Sequence, residues 1–144
     1  MDEPLAICHL KRYVADADLD SAVPYAPPVR PPSGRSVGIV GGGPAGLAAA
    51  YYLAQEGHSI TVYESMPELG GMLRYGIPEY RLPKAVLDKE ITMITSLCHE
   101  VRRNTRLGME VSLEGLRKNH DVVILALGAQ ASQVVETPGN DLAG

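Results

Sequence analysis

Between Val37 and Glu64 the chain reads VGIVGGGPAGLAAAYYLAQEGHSITVYE, and this stretch leaves few folds open. A β-branched run, Val37 to Val40, runs into Gly41, Gly43 and Gly46, which stand in GxGxxG spacing. Small residues then open a helical pattern. A second β-branched run ends at Glu64, 23 positions after Gly41. Each residue type has a mechanical reason. Gly41 permits a tight strand-to-helix turn, Gly43 lets a pyrophosphate approach bare backbone, and Gly46 with Ala50 lets the helix lie close to the strand. The first turn of that helix offers free N–H groups and the positive end of its dipole to phosphates. A carboxylate at position 64 can accept hydrogen bonds from an adenosine ribose. A glycine-rich βα turn with no ligand would leave that acid unexplained, so the stretch predicts a dinucleotide site in a parallel α/β sheet.

Composition removes other classes. The 144 residues are 45% apolar and 21% charged with a net charge of −4, an ordinary globular balance. This charge gives no footprint for nucleic acid or an anionic membrane. No apolar run has the length of a membrane span, and the acidic, proline-containing start does not read as a signal peptide. Cys8 and Cys98 are far apart and outside any CxxC spacing, so two reduced thiols and a cytoplasmic location are expected. His9, His58, His99 and His120 show no metal-ligand pattern and are expected at the surface or in loops. No nucleophile, base and acid stand at a spacing that suggests side-chain catalysis.

Around the central unit the chain divides into residues 1–20, 21–36 and 37–144. Residues 4–19 predict a short helix whose Ile7, Leu10, Tyr13 and Val14 form a narrow apolar stripe in need of a partner. Residues 21–36 hold five of the eleven prolines and predict an extended linker. Pro44 suits the first turn of a helix that runs to about Glu56 and stops at Gly57. Ser59 to Tyr63 is a strand. Residues 65–82, with three glycines and two prolines, form a long loop. After Pro83, Leu87, Ile91, Ile94 and Cys98 give a core-facing helical stripe. A short strand over Glu100 to Asn104 follows. Ser112 caps a helix from Leu113 to about Lys118, and residues 121–129 read as a parallel strand covered on both faces.

The fingerprint alone does not separate flavin from nicotinamide dinucleotides. Gly70 and Gly71 follow Glu64 closely, and bare backbone there suits the longer FAD; a plain turn is the other reading. Gly128 ends the last apolar strand beside the expected crevice, either as part of the site or as a strand terminator.

GGGPAG, the acid of VYE, LGGMLRYGIPEYRLPK and VVILALGA together resemble the first half of the FAD domain of the glutamate synthase small-subunit group. That group includes relatives of adrenodoxin reductase and dihydropyrimidine dehydrogenase. PLAICHLKRYVAD is similar to the helix that closes the family's N-terminal iron–sulfur segment. The resemblance implies an incomplete Rossmann-like FAD domain of an NAD(P)H-dependent oxidoreductase. Electrons would pass from nicotinamide through FAD to an iron–sulfur domain or partner subunit. It further implies pyrophosphate contacts from Gly41, Gly43, Pro44, Ala45 and Gly46, a ribose contact from Glu64, and backbone approach by Gly71 and Met72. Leu107 would face the adenine and Gly128 the phosphates. Arg74 would bring a positive charge near the cofactor, or be an exposed loop arginine. The family's cluster cysteines have no counterpart here, and ALG replaces its ATG. Its nicotinamide domain is expected beyond residue 144, which leaves the chain alone inactive and prone to self-association. A non-catalytic relay subunit and a simple NAD-dependent dehydrogenase module are the alternative readings.

Overall fold

Alternation along the strands beside the glycine turn sets the architecture, because Val37 and Ile39 face one way and Gly38 and Val40 the other. The computed structural model describes residues 4–129 and 137–139. Its elements are α1 (Ile7–Leu19), β1 (Ser36–Val40), α2 (Pro44–Gln55), β2 (Ser59–Tyr63), α3 (Met72–Tyr75), α4 (Lys84–Ser96), β3 (Glu100–Arg102), α5 (Leu113–Asn119) and β4 (Val122–Leu125). The four strands form one parallel sheet in the order β3-β2-β1-β4. Val37 lies opposite Ile60 on one side and Val122 on the other. This is the doubly wound arrangement expected from the sequence.

One face carries the main core. Ile39, Ile60, Val62 and Ala50 are completely buried, and Leu87 and Ile91 of α4 complete the layer with Leu47 and Ala54 of α2. The expected α4 stripe holds, with Ile94 and Cys98 packed at the margin of this cluster. The other face is smaller, where Val40 and Tyr63 pack against Leu116 of α5. Ser112 caps α5 as expected, its hydroxyl accepting the Gly115 N–H at 3.0 Å.

The structure departs from expectation at several places. Residues 121–129 do not form a strand buried on both faces. Only Val122–Leu125 is strand, and it occupies a sheet edge where Val122 and Leu125 are about half exposed (52% and 51%). Continuous hydrophobicity fits a covered parallel strand, but among the described residues no strand flanks its outer side. The expected strand at 100–104 ends at Arg102, because Asn104 takes a positive φ of 51° and the chain turns across the end of β2. The loop at 65–82 contains the single-turn helix α3.

The N-terminal helix forms, but its apolar stripe is uncovered. No residue of α1 is buried, and Ile7, Leu10, Tyr13 and Val14 are exposed. Asp20 of its C-terminal end pairs with Lys89 on α4 at 2.8 Å. The proline segment is extended yet anchored. Arg30 donates its N–H to Gln55, Ser33 donates to Gly57, and Pro27 is buried. His120 lies in the loop between α5 and β4, as expected, but it is partly buried. Its ring lies beneath Gly38, where a Cβ would approach Cδ2 to 2.6 Å, and its Nε2 is 2.8 Å from the Tyr63 hydroxyl.

Candidate nucleotide-binding crevice

The turn after β1 is fixed by how closely the backbone must pass other backbone. Gly41 has a φ of 111°, and a Cβ there would lie 2.2 Å from the Ala126 carbonyl oxygen beyond β4. A Cβ on Gly46 would lie 1.8 Å from the Gly41 oxygen, so α2 can start against the turn only with glycine there. Gly43 is different. It has an ordinary extended backbone, and a Cβ there would meet only the Gly71 Cα, at 3.8 Å. Protein packing accounts for Gly41 and Gly46. At Gly43 the glycine keeps space open.

That space belongs to a crevice of about 480 Å³ at the carboxyl end of the sheet, between β1 and β4. This is the position where strand order reverses and where ligands bind in open α/β sheets. Gly43, Ala45, Glu64, Gly71, Leu107 and Gly128 all line it. Gly41, Pro44 and Met72 line it as well, so most of the predicted residues come together. Gly46 serves by packing beneath the turn. None of the described hydrogen bonds uses the N–H of Gly43, Ala45, Gly71 or Met72 as donor. These donors remain free beside the N-terminal end of α2, where an anionic group is favoured.

Glu64 lies at the other end and is only 6% exposed. One carboxylate oxygen accepts the Gly42 N–H at 2.7 Å. The other accepts the Met66 N–H at 2.7 Å and the Ser65 hydroxyl at 3.1 Å. The acid thus ties the glycine turn to the segment after β2, a structural part that its place at a strand end did not announce. A carboxylate has about four lone-pair sites, so three protein donors still leave capacity for a ligand hydroxyl.

Arg74 does not line the crevice. Its Nε donates to the Leu69 carbonyl at 2.5 Å and its Nη2 pairs with Asp88, and the side chain is 14% exposed. The expected charge near the cofactor is turned instead into the protein. Gly70 donates its N–H to the Gly42 carbonyl at 2.8 Å, which brings Gly71 onto the phosphate turn.

The sequence reading missed Thr105, Arg106 and Ala126, which also line the crevice. Thr105 is placed by its N–H bond to the Glu64 carbonyl at 2.7 Å. Their position just past strand ends was the available signal, since the crevice of such a sheet is built from those turns. Behind the crevice Tyr63 is 3% exposed, and the Arg102 guanidinium stands 5.5 Å from its ring centre. Burial raises the Tyr63 pKa, with Arg102 opposing, and burial lowers that of His120, with Arg102 acting in the same direction. Among the described residues no group of His, Cys, Asp and Glu could hold a metal ion.

Comparison with known proteins gives the same architecture. A family described as an NAD(P)-binding Rossmann-like domain matches residues 39–102. The NADPH-Fe(3+) oxidoreductase subunit beta of Geobacter sulfurreducens is 42% identical over 98% of this chain and 21% of its own length. The NADP(+)-dependent formate dehydrogenase subunit beta of Moorella thermoacetica is 40% identical over 98% of this chain and 23% of its own. The glutamate synthase (NADPH) small chain of Mycobacterium tuberculosis is 39% identical over 99% of this chain and 29% of its own. Among solved structures, Mycobacterium tuberculosis FprA in complex with NADPH superposes with a TM-score of 0.63 at 25% identity, covering 78% of this chain and 26% of FprA. The chain therefore spans between a fifth and a third of these relatives. Over nearly all of its own length it is similar to the glutamate synthase small chain and to these other oxidoreductase subunits, and it has the architecture of a Rossmann-like nucleotide-binding domain.

Proposed function

We propose that the crevice binds FAD, and that the chain is the flavin-holding part of an oxidoreductase drawing electrons from NAD(P)H. The observation that carries this reading is the cradle at Gly43. Its neighbours are glycines because protein atoms crowd them, whereas Gly43 faces open space beside unpaired N–H groups. A pyrophosphate is the group whose size and charge suit that space. Gly41, Gly43, Pro44, Ala45 and Gly46 would hold it, Glu64 would receive a ribose hydroxyl, and the Leu107 backbone would meet the adenine. Gly71 and Met72 extend the line of donors away from the adenine end, as a dinucleotide longer than NAD requires, and Gly128 closes the opposite wall.

Bound there, FAD would supply a centre that takes electrons in pairs and releases them singly. The chain's own contribution is to bind and orient it. The relatives' names as subunits support a partner in a larger redox assembly, and we infer an iron–sulfur domain or subunit as acceptor. Residues 1–20 would lie next to that acceptor, with 21–36 as the connection to the FAD domain at 37–144. No described helix is long and apolar enough to cross a membrane. The free thiols of Cys8 and Cys98 suit the reducing cytoplasm.

The matched family's description as NAD(P)-binding favours a second reading, direct nicotinamide binding. Titration with FAD, NADH and NADPH, followed by flavin fluorescence and calorimetry, separates the two. FAD should bind more tightly than either nicotinamide nucleotide. Gly43→Ala should weaken FAD binding at least tenfold while unfolding stays within about 1 kcal/mol of the parent, because the backbone there suits alanine. Tight NADH or NADPH binding without FAD binding would overturn the flavin reading.

A further inference from the structure

The Gly70–Gly71 turn is held on the phosphate turn by more than its own bond to Gly42. A Cβ on Gly71, which has a φ of 50°, would stand 2.9 Å from the Gly43 Cα, so the two backbones are in contact. Two cationic side chains brace this contact from behind, and both act through α4. Arg74 grips the Leu69 carbonyl with Nε and Asp88 of α4 with Nη2. Lys84, the first residue of α4, donates from Nζ to the Leu73 carbonyl at 2.9 Å and the Ile77 carbonyl at 2.6 Å. Its backbone N–H is received by Glu79 at 3.0 Å. Leu87 and Ile91 sit in the main core and are the α4 side chains nearest Gly70. The turn is thereby tied to the main core.

We propose that Arg74 and Lys84 are positioning residues that hold the Gly71 and Met72 N–H groups at the crevice before any ligand arrives. Neither side chain lines the crevice. Each replaces a water shell with fixed carbonyl or carboxylate partners, and the planar fork of Arg74 reaches two partners on different segments at once. Preorganisation of this kind improves affinity by removing the ordering cost of the loop. The consequence for ligand binding rests on the FAD reading above. The bracing itself does not.

The test uses the full chain and four variants, Arg74→Met, Lys84→Met, Arg74→Lys and Lys84→Arg. Amide hydrogen exchange at Gly70 is measured without ligand, FAD affinity by fluorescence, and global stability by urea unfolding. Each methionine variant should speed Gly70 exchange at least tenfold and weaken FAD at least tenfold, with the urea midpoint nearly unchanged. Lys84→Arg should retain protection, because it keeps a cationic donor for the two carbonyls. Arg74→Lys should not, because it lacks the fork. Unchanged Gly70 exchange in both methionine variants would overturn the proposal. So would a uniform rise in exchange with a matching fall in the urea midpoint, which marks a plain stability role. Recovery of FAD affinity by Arg74→Lys without recovery of Gly70 protection would also overturn it, by showing that the charge acts on the ligand. Failure of the parent chain to bind FAD would defeat the functional reading, and the exchange measurement would still decide the bracing.

Discussion

At the scale of single residues, Glu64 has a structural task beside the binding task proposed for it, and the sequence presented only the second. A terminal acid after β2 suggests a ribose contact, and removing it would then touch binding but leave stability alone. The structure makes the same carboxylate the acceptor for the Gly42 and Met66 N–H groups in a nearly buried position. Glu64→Ala would leave two donors without a partner, and each such loss costs about 1–3 kcal/mol when water cannot replace it. We expect urea unfolding to report a loss of roughly 2–6 kcal/mol on that basis. Glu64→Gln keeps an acceptor oxygen but places an amide where the second oxygen received a donor, so an intermediate loss is expected. An alanine variant of parental stability would show that the segment after β2 rearranges to satisfy these groups itself. The structural role was illegible in the sequence because both N–H donors belong to backbone whose course depends on the fold.

At the scale of elements, the legible ones were those whose signal is local. The glycine turn, the proline at the start of α2 and the serine cap of α5 each act within a few residues of themselves, and each stands where expected. β4 was misread because its burial depends on what lies beside it, and what would cover the stripe of α1 was not legible for the same reason. Apolar content alone does not say whether a strand is central or marginal. In α1 the weakness is visible locally as well. It has no side-chain cap at its N-terminus and no basic residue in its last turn, where Asp16 and Asp18 oppose the dipole. Isolated helices of this length are marginal in water. Amide exchange should therefore be fast along α1, within about tenfold of unstructured peptide, while Val62 and Ile39 exchange only with global opening. Slow exchange in α1 would mean that its apolar stripe is covered in solution. The half-exposed edge of β4 makes a parallel prediction. Sedimentation should show association that increases with concentration and is relieved by Val122→Lys, since a charge on an edge strand opposes edge pairing. Association unaffected by that change would place the contact elsewhere.

At the scale of the whole molecule, stability should depend on pH through one half-buried histidine. His120 sits beneath Gly38 with Tyr63, Arg102 and Asp121 around it, and its Nδ1 has no partner among the described residues. Burial, followed by the Arg102 charge, lowers its pKa from the ordinary value near 6.5, and Asp121 opposes them only in part. The unfolded chain therefore takes up a proton on acidification before the folded chain does. The stability that the neutral ring contributes is present above the ordinary value and is lost as the pH falls through the lowered one. Urea midpoints measured between about pH 7 and 5 should fall more steeply for the parent than for His120→Gln. Equal slopes would mean that the ring is solvated in both states.

The placement of the crevice between β1 and β4 also bears on the order in which the molecule comes into being. β1 reaches β2 through the crossover helix α2, and the Gly42–Glu64 bond that closes this segment spans 22 residues. The Ser36–Asp121 bond at the foot of β4 spans 85. Closing the longer loop costs about 1 kcal/mol more in chain entropy, and contacts this distant in sequence form late. A chain emerging from the ribosome can assemble the α2 side of its core while the wall that carries Ala126 and Gly128 is still being made. The crevice is then completed only after the α2 side of the core, and a ligand that needs both walls can stabilise only a chain in which β4 has docked.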